Sequence, residues 1–305
     1  MNSDKPLATL FIAFYNQENF VEDAVKGALS QTYENLEIIL SDDCSTDRTF
    51  DEIRKWTKEY EGPHKIIINR NDKNLGLVPH MNIILFELAH GDYIFANGGD
   101  DISLPNRISD GMNLFLNDDT ISGVTFASIY IDKDGKEFDR MHLEKNARYS
   151  LTDKNYLSST SFMCGRGMFG FKRGVLYLFG PLNDNCQTED SCLRFRALLL
   201  GDVVAYAKYG VKYRIHGNNI SIGNTIFKLK TRPIAEQYRK DLETVKDRID
   251  PNLYTILRKK INYYEINRET ESVFALSSSK VKKVFYRIRR KIACYIYNRE
   301  IQNYF

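Results

Sequence analysis

Residues 36–47 read Leu-Glu-Ile-Ile-Leu-Ser-Asp-Asp-Cys-Ser-Thr-Asp, and this stretch indicates the fold more directly than any other. Residues 36–40 form an apolar run that predicts a buried strand. Asp42 and Asp43 follow that strand directly, and the polar residues after Cys44 are typical helix caps. Open parallel sheets bind ligands outside the carboxyl ends of their strands, so this acid pair is predicted to face a binding crevice.

The chain around this stretch alternates apolar runs with helical stripes through its first hundred residues. Four runs predict buried strands, at residues 7–14, 36–40, 65–68 and 93–96. Amphipathic stripes between them predict helices over residues 19–30, 50–60 and 79–88. Strands that alternate with helices of this length form βαβ units, so the sequence predicts an α/β fold with a mainly parallel sheet.

A second acid pair follows another predicted strand. Asp100 and Asp101 come after the strand that ends at Ala96, beyond a flexible Asn-Gly-Gly turn. Tyr15, at the end of the first strand, is predicted to line the same crevice. Clustered carboxylates repel one another unless a cation compensates, and Mg²⁺ or Mn²⁺ often joins carboxylates to substrate phosphates. The alternative, that these aspartates only form turns and cap helices, stays open from residue type alone.

Beyond residue 103 the pattern loosens. The sequence predicts a helix after Pro105, a strand at residues 124–131, a turn at 134–135 and a helix near 190–200. From about residue 226 the chain is helical and polar, which places a soft domain boundary there.

Composition limits the classes of function. The 305 residues carry a formal net charge of +3, which argues against a nucleic-acid-binding protein. The five cysteines form no C-x-x-C pair, so a disulfide framework or structural zinc site is not expected and a reducing cytosol fits best. Because no signal peptide or run of 18 apolar residues occurs, the chain is expected to be soluble and cytoplasmic. P-loop and dinucleotide-binding motifs do not follow the first strand.

An ordered series of motifs resembles glycosyltransferase family 2. The chain carries FIAFYNQENF at 11–20, ALSQTY at 28–33, DDCSTD at 42–47, NLG at 74–76, GDYI at 91–94, GDDISLP at 99–105, TED at 188–190 and YRIHG at 213–217. The resemblance covers roughly residues 7–221. It implies the GT-A fold, a Rossmann-like fold with a mainly parallel central sheet and flanking helices. The implied domains are a catalytic domain at 1–225, with a nucleotide-binding half at 1–103 and an acceptor half at 104–225, and a helical extension at 226–305.

The resemblance also implies a donor pocket. Asp43 matches the residue that binds the edge of the nucleotide base, Tyr15 matches a residue that stacks on or lines the base, and Asp42 would support the pocket. The implied substrate-binding set is completed by Ala13, Asn74, Gly76 and Glu189.

Catalytic and metal-binding roles follow from the same comparison. Asp190 matches the catalytic base of the family's acceptor-side Glu-Asp motif. Asp100 matches the aspartate that binds Mn²⁺ or Mg²⁺, with Asp101 beside it, and His216 matches a position that completes metal or diphosphate binding. Gly98 stands where many members have an aspartate.

The resemblance implies that the enzyme transfers a sugar from a nucleotide diphosphate sugar with inversion of the anomeric centre. A UDP-sugar is the expected donor. The acceptor would be a hydroxyl of a glycan or lipid-linked glycan in surface polysaccharide biosynthesis. Two alternatives stay open. One is a non-catalytic nucleotide-sugar-binding protein, suggested by Gly98. The other is a sugar nucleotidyltransferase, which normally has a basic, glycine-rich loop after its first strand.

The end of the chain is a basic amphipathic segment. Residues 280–299 contain eight Lys or Arg and no Asp or Glu. The apolar residues that fall on one helical face are Val281, Val284, Phe285, Ile288, Ile292, Tyr295 and Ile296. Such a helix is typical of a peripheral contact with anionic lipid, here on the inner face of the cytoplasmic membrane. The alternative is a helix that packs this stripe on the catalytic domain or on a partner.

Overall fold

A computed structural model of the protein describes residues 5–165, 167–217 and 230–305. The first strands of its sheet are β1 (Ala8–Phe14), β2 (Leu36–Asp42), β3 (Lys65–Arg70) and β4 (Tyr93–Gly98). β1 pairs in parallel with both β2 and β4, and β3 pairs in parallel with β2. The parallel α/β arrangement predicted for the first hundred residues is therefore confirmed.

The rest of the sheet is mixed. Its strands are β5 (Ile102–Ser103), β6 (Ile121–Ile131), β7 (Glu137–Arg140), β8 (Ala147–Tyr149), β9 (Phe169–Lys172) and β10 (Asp202–Arg214). The order across the sheet is β3-β2-β1-β4-β9-β6-β10-β5, with β7 beside β6 and β8 beside β10. β9 runs antiparallel to both β4 and β6.

Helices cover both faces of the sheet. Those of the first half are α1 (Val21–Leu29), α2 (Thr49–Thr57), α3 (Leu77–Ile83) with a π-helical turn at Ile84–Leu88, and α4 (Arg107–Asn117). Those of the second half are α5 (Lys154–Ser158), α6 (Gly174–Tyr177), α7 (Glu189–Leu200), α8 (Thr231–Thr244), a 3₁₀ turn at Lys246–Arg248, α9 (Pro251–Leu276) and α10 (Lys280–Tyr304). The predicted helices are present, although α2 ends at Thr57, before the predicted residue 60.

Two apolar cores enclose the sheet. One lies under α1, α2 and α4 and includes Leu10, Ile38 and Phe115. The other lies between the opposite face and the helices α3, α7, α8 and α9, and includes Phe195 and Tyr238. β1 and β2 are covered on both sides, which is why their sequences are mainly apolar, whereas β3 at the edge of the sheet is partly exposed.

A buried ion pair joins α7 to α8. Arg196 Nε lies 2.9 Å from Asp241 Oδ2, and neither side chain is exposed to solvent. Loss of one partner would leave an uncompensated buried charge, which typically destabilises a protein by about 3–5 kcal/mol. The C-terminal helices therefore share a core with the sheet-bearing part of the chain. The predicted domain boundary at residue 225 lies outside the described residues.

Helix α10 packs on α9 through one face only. Tyr297 and Ile301 are buried on that packed face. The seven residues of the predicted apolar stripe are 48–81% exposed. Packing of the stripe on the catalytic domain is therefore wrong as an interpretation of the tail. Among the described residues, no helix combines the length and apolar character needed to cross a membrane.

Candidate active site

The carboxyl ends of β1, β2 and β4 meet at one edge of the sheet. Phe14 at the end of β1 pairs with Asp42 of β2, and Ala13 pairs with Gly98 of β4. Neighbouring strands lie about 4.8 Å apart, so the loops after β2 and β4 flank the loop after β1. The two acid pairs therefore lie on either side of Tyr15, the arrangement expected of a shared crevice.

Asp42 is an internal support of this edge. Its carboxylate is fully buried and accepts hydrogen bonds from the backbone N–H of Ser45, at 3.1 Å, and from the Ser45 hydroxyl. Arg70 Nε lies 3.3 Å from Asp42 Oδ2 and compensates its charge. These contacts fix the turn after β2, and the role of Asp42 in supporting a donor pocket stays a prediction.

Asp43 organises the loop that follows β3. Its Oδ1 atom accepts hydrogen bonds from Asn71 Nδ2 at 2.8 Å and from the N–H of Leu75 at 3.0 Å, and Oδ2 accepts from the N–H of Gly76 at 2.9 Å. Gly76 has a φ of 86°, a left-handed conformation that favours glycine. A carboxylate has about four acceptor positions, so one on Oδ2 remains for a donor such as the N–H of a nucleotide base.

Three other residues of the predicted substrate-binding set lie around this loop. Asn74 is exposed beside Leu75, and the side chain of Tyr15 is 46% exposed after β1. Ala13 is half-buried in β1, and its carbonyl accepts a 3.1 Å hydrogen bond from the N–H of Gly99. Tyr15 and Asn74 are accessible to a ligand, whereas Ala13 shapes the floor between the two loops.

Asp100 and His216 meet across the sheet edge. His216 Nε2 lies 2.9 Å from Asp100 Oδ2, and the His216 ring packs 5.1 Å from the ring of Phe20. Both polar side chains are partly exposed, at 14% for His216 and 19% for Asp100. The contact joins residues that are 116 positions apart in sequence. It brings together a carboxylate oxygen and an imidazole nitrogen, both of which are possible metal ligands.

The donor pair fits a divalent ion that is completed by substrate. Mg²⁺ and Mn²⁺ commonly take one or two protein ligands and fill the remaining positions with phosphate oxygens and water. A carboxylate oxygen suits both Mg²⁺ and Mn²⁺, so this pair leaves the choice between the two expected ions open. Within the described residues, no group of three or more His, Cys, Asp or Glu side chains is arranged to hold a metal.

Gly98 is closely surrounded by the acids that follow it. A Cβ atom at Gly98 would lie 2.7 Å from Asp100 Oδ1 and 3.3 Å from Asp101 Oδ2. A side chain at this position would therefore displace the Asp100 carboxylate from its present place. The glycine permits the observed position of Asp100 beside His216.

Asp101 points into the protein. Asp101 is only 2% exposed, and its Oδ1 atom accepts a 2.8 Å hydrogen bond from the N–H of Arg214. Burial and the neighbouring Asp100 carboxylate raise the pKa of Asp101 well above its usual range. This environment favours a role in positioning Asp100 over the direct contact with metal that the resemblance implied.

Two buried arginines that sequence reasoning missed hold this region together. Arg214 Nε donates to the Asp100 carbonyl at 2.9 Å, and its Nη2 lies 2.7 Å from Asp23 Oδ2. Arg107 Nη1 donates to Asn97 Oδ1 at 3.2 Å, while Asn97 Nδ2 donates to the carbonyls at both ends of the turn that carries Asp100. Arg214 belongs to the YRIHG motif, which is the signal that was available for it.

Glu189 and Asp190 begin α7 at the same edge of the sheet. α7 leads through Gly201 directly into β10, so the helix runs antiparallel to that strand. β10 is parallel to β6 and ends at Arg214, two residues before His216. The start of α7 therefore lies at the edge that carries Asp100. A further tie comes from Asn82 of α3, whose side chain exchanges hydrogen bonds of 2.9 and 3.0 Å with the backbone of Leu182.

The environment of Glu189 at this helix start favours its protonated form. Burial, followed by the neighbouring Asp190, raises the pKa of Glu189 to about 8. Asp190 Oδ1 accepts a 2.7 Å hydrogen bond from the N–H of Ser191. The partial positive charge of a helix N-terminus stabilises a carboxylate there. A pKa of about 8 leaves Glu189 mainly protonated at neutral pH.

Two cysteines also meet beside these acids. Cys186 Sγ and Cys192 Sγ lie 3.6 Å apart, and all five cysteines of the chain are free thiols. Their spacing of six residues spans the start of α7, a proximity that a sequence pattern does not reveal.

Comparison with known proteins adds a family and several relatives. The sequence model of the family described as "Glycosyl transferase family 2" matches residues 9–179. The chain is 34% identical over 128 residues to the UDP-Glc:alpha-D-GlcNAc-diphosphoundecaprenol beta-1,3-glucosyltransferase WfaP of Escherichia coli, an alignment that covers 42% of this chain and 48% of that enzyme. It is 26% identical over 224 residues to the putative teichuronic acid biosynthesis glycosyltransferase TuaG of Bacillus subtilis, covering 72% of this chain and 84% of the relative.

Solved structures show the same fold. The crystal structure of S. aureus TarS residues 1–349 in complex with UDP-GlcNAc superposes with a TM-score of 0.68 at 13% sequence identity. The superposition covers 91% of this chain and 77% of that chain. At this identity the likeness establishes the architecture, which includes the helical C-terminal region.

Proposed function

The chain belongs to glycosyltransferase family 2 and has the GT-A fold, and on that premise we propose that it transfers a sugar from a UDP-sugar to a hydroxyl of a lipid-linked glycan. It is thus a glycosyltransferase, for which we propose an inverting, metal-assisted reaction in surface polysaccharide biosynthesis. The observation that carries the proposal is the pair of acid-bearing loops on either side of Tyr15, with Asp43 on one side and Asp100 beside His216 on the other.

We call the loops after β2 and β4 the donor side. The remaining acceptor position of Asp43 suits the N–H of a uracil ring, and the exposed Tyr15 ring suits contact with the face of that ring. WfaP is named for its use of UDP-Glc, and TarS has been crystallised with UDP-GlcNAc. The donors of these similar proteins favour a UDP-sugar, since the contact with Asp43 alone would suit a thymine ring equally.

Asp100 and His216 would be the protein ligands of the divalent ion. An ion in this place would act as a Lewis acid and neutralise the charge that develops on the leaving diphosphate. The chain's own contribution is the fixed geometry of the two ligands. Arg214 and the turn around Asn97 supply it by holding the Asp100 backbone.

We call residues 182–190, which lead into α7, the acceptor side. Asp190 would take the proton of the acceptor hydroxyl as that oxygen attacks the anomeric carbon opposite the diphosphate. General-base assistance of this kind typically contributes about 10²–10⁴-fold. Glu189, protonated at neutral pH, would keep a second negative charge away from Asp190.

The lipid-linked acceptor places the reaction at a membrane. The similarity to WfaP, a glucosyltransferase named for its diphosphoundecaprenol-linked acceptor, supports this class of acceptor. We propose the inner face of the cytoplasmic membrane as the location.

Nucleotide release by the purified chain tests the proposal. UDP-, GDP- and dTDP-sugars are incubated in turn with Mn²⁺, with Mg²⁺ and with excess EDTA, in the presence and absence of a diphosphoundecaprenol-linked glycan. We expect acceptor-stimulated release of UDP that needs the divalent ion. Full activity in EDTA would remove the metal from the proposal, and absence of release from every donor would remove the transferase activity proposed here.

A further inference from the structure

The outward face of α10 is the most apolar exposed surface of the described chain. Seven large apolar side chains lie on it, each between 48% and 81% exposed: Val281, Val284, Phe285, Ile288, Ile292, Tyr295 and Ile296. Successive residues of an α-helix lie about 100° apart around the axis, so these side chains occupy an arc of about 120°. A contiguous exposed apolar surface of this kind marks an interaction site. We call it the α10 stripe.

The opposite face of α10 is firmly attached to the rest of the protein. Tyr297 is buried, its hydroxyl donates to the Leu157 carbonyl, and its ring lies 5.5 Å from the ring of Tyr263 in α9. Arg289 Nη1 also lies 2.6 Å from Glu269 Oε2 in α9. Because these contacts fix the rotation of the helix, the α10 stripe is held pointing away from the sheet.

Positive charge borders the α10 stripe on both sides. On a helical projection Lys282 lies along one border, and Lys280, Arg287 and Lys291 lie along the other. All four residues are exposed. The first acid after residue 279 is Glu300, which is already paired with Lys259 of α9.

We propose that the α10 stripe binds the surface of an anionic lipid bilayer, with its apolar side chains in the acyl boundary and its lysines and arginines at the lipid phosphates. An amphipathic helix with a basic polar face and aromatic residues in its apolar face has the composition that this environment favours. Each Lys or Arg near an anionic membrane surface adds to the attraction. A second copy of the chain is a poorer partner, since two such helices would place like charges against each other.

Contacts inside the protein link the bound helix to the acceptor side. Beside the Tyr297 contact, Lys260 of α9 donates to the carbonyls of Tyr156 and Ser159, at 2.5 and 2.6 Å. The chain continues from there to Cys164, whose carbonyl accepts a 3.1 Å hydrogen bond from Arg194 of α7. α7 begins at Glu189 and Asp190, so a lipid surface under α10 is connected by packed elements to the place where the acceptor is activated. This connection between the bound lipid surface and the acceptor side rests on the proposed function, whereas lipid binding by the α10 stripe does not.

Vesicle co-sedimentation of the full chain tests lipid binding. Vesicles of phosphatidylcholine alone are compared with vesicles that also contain phosphatidylglycerol, at low and high salt. We expect at least tenfold tighter binding to the anionic vesicles and a decrease with salt, because exposed charges are screened. Equal affinity for both vesicle types, or binding to neither, would overturn the proposal.

Two double variants separate the apolar and the charged contributions. Phe285→Ser with Ile292→Ser removes apolar surface, and Arg287→Glu with Lys291→Glu reverses charge on one border. Each is expected to weaken binding to anionic vesicles by at least tenfold. Matched controls on other exposed surfaces are Leu116→Ser with Tyr177→Ser, and Arg54→Glu with Lys58→Glu, which should bind as the unchanged protein does. Equal loss in variants and controls would contradict a specific surface.

Three further readouts keep the interpretation clear. The melting temperature of each variant should stay close to that of the unchanged protein, since the altered side chains are exposed. If the stripe variants instead abolish a concentration-dependent dimer and leave vesicle binding intact, the surface belongs to a second copy and the proposal fails.

UDP release without acceptor should be unaffected by the stripe variants. Vesicle binding without any UDP release would leave lipid binding standing and refute the proposed function alone.

Discussion

The donor side and the acceptor side of the crevice hold their carboxylates in different ways. On the donor side, Asp43 accepts three hydrogen bonds from the loop after β3, and Asp100 is held by His216 and by the contact of Arg214 with its carbonyl. On the acceptor side, Asp190 accepts a hydrogen bond from the adjacent Ser191. The carboxylates of the donor side are therefore held by distant parts of the fold. The segment 182–190 is also anchored to α3 and α8, through Asn82 and Gln237, but the described hydrogen bond of the Asp190 carboxylate comes from its own helix.

This difference matches the two kinds of ligand that the proposal requires. A nucleotide diphosphate presents fixed groups, and a network that is already complete before binding avoids the cost of ordering it. An acceptor hydroxyl needs a base with unused acceptor capacity, which a single local hydrogen bond leaves on Asp190. The contrast predicts that donor-side substitutions change affinity and stability together, whereas acceptor-side substitutions change turnover.

The largest effect is expected for Asp190→Asn. The amide keeps the shape of the side chain but cannot take a proton from the acceptor, so kcat should fall by about 10²–10⁴-fold. The Kd for UDP should stay unchanged, because the donor side is intact. Stopped assays of transfer and calorimetric titration with UDP measure the two quantities.

Asp184→Asn is the matched control for this substitution. It removes a charge from the same segment while retaining the oxygen that accepts a hydrogen bond from Asn82, at 3.2 Å. Its turnover should be close to normal. Near-normal turnover in Asp190→Asn as well would show that the base lies elsewhere.

Asp43→Asn is expected to have the second-largest effect. The amide nitrogen cannot accept from a backbone N–H, so at least one bond to Leu75 or Gly76 is lost. A buried donor left without a partner costs about 1–3 kcal/mol, and UDP affinity should fall by roughly 10–100-fold for the same reason. Calorimetry and a chemical denaturation curve measure both changes.

The control for Asp43→Asn lies in the same loop. Asp72 is exposed, so Asp72→Asn changes the charge without touching the buried network. We expect its UDP affinity and unfolding free energy to match those of the unchanged chain. A variant of Asp43 that lost turnover while keeping UDP affinity would reverse the assignment of the donor side.

His216→Ala should have an intermediate effect that is specific to metal. Removing one of the two proposed protein ligands should raise the Mn²⁺ concentration that gives half-maximal UDP release by at least about tenfold. Changes of this size are typical when residues around a metal site are removed. Excess Mn²⁺ should restore most of the activity. His142→Ala, at an exposed histidine away from these contacts, provides the control. An unchanged Mn²⁺ requirement would exclude His216 as a ligand.

The sequence predicted the acidic residues of the donor side, but it did not predict the long-range contacts that stabilise them. Asp43 and Asp100 were found because each follows an apolar run, and the position of an acid after a strand is a local property of the chain. The contact of Arg214 with Asp23 joins residues 191 positions apart, and only the folded sheet brings them together. The same holds for Arg107, a fully buried cation on a helix whose sequence otherwise looks ordinary.

Within the mixed half of the sheet, the strand at 124–131 was predicted, but the antiparallel strand β9 was not. β9 has four residues, too few for its pattern to distinguish a strand from a loop. The amphipathic character of α10 was visible in sequence, but which face packs on α9 was not. That choice is made by Tyr297 and Ile301, which lie opposite the longer apolar stripe.

Glu189→Gln should have the smallest effect on turnover at neutral pH. Its informative effect should appear in the dependence of kcat/KM on pH above neutrality. The amide imitates the protonated acid, and the pKa of Glu189 is raised from 4.5 to about 8, so turnover at pH 7 should change little. Above pH 8 the unchanged enzyme gains a second negative charge beside Asp190, and its kcat/KM should fall. The variant should lack this alkaline decline.

The same titration affects stability with a defined sign. Because the pKa of Glu189 is higher in the folded chain than in the unfolded chain, its contribution to stability is complete below pH 4.5 and is lost as the pH rises through 8. The unfolding free energy of the unchanged protein should therefore decrease across this window by more than that of Glu189→Gln. Equal pH dependence of both kcat/KM and unfolding in the two proteins would mean that Glu189 is already ionised at neutral pH.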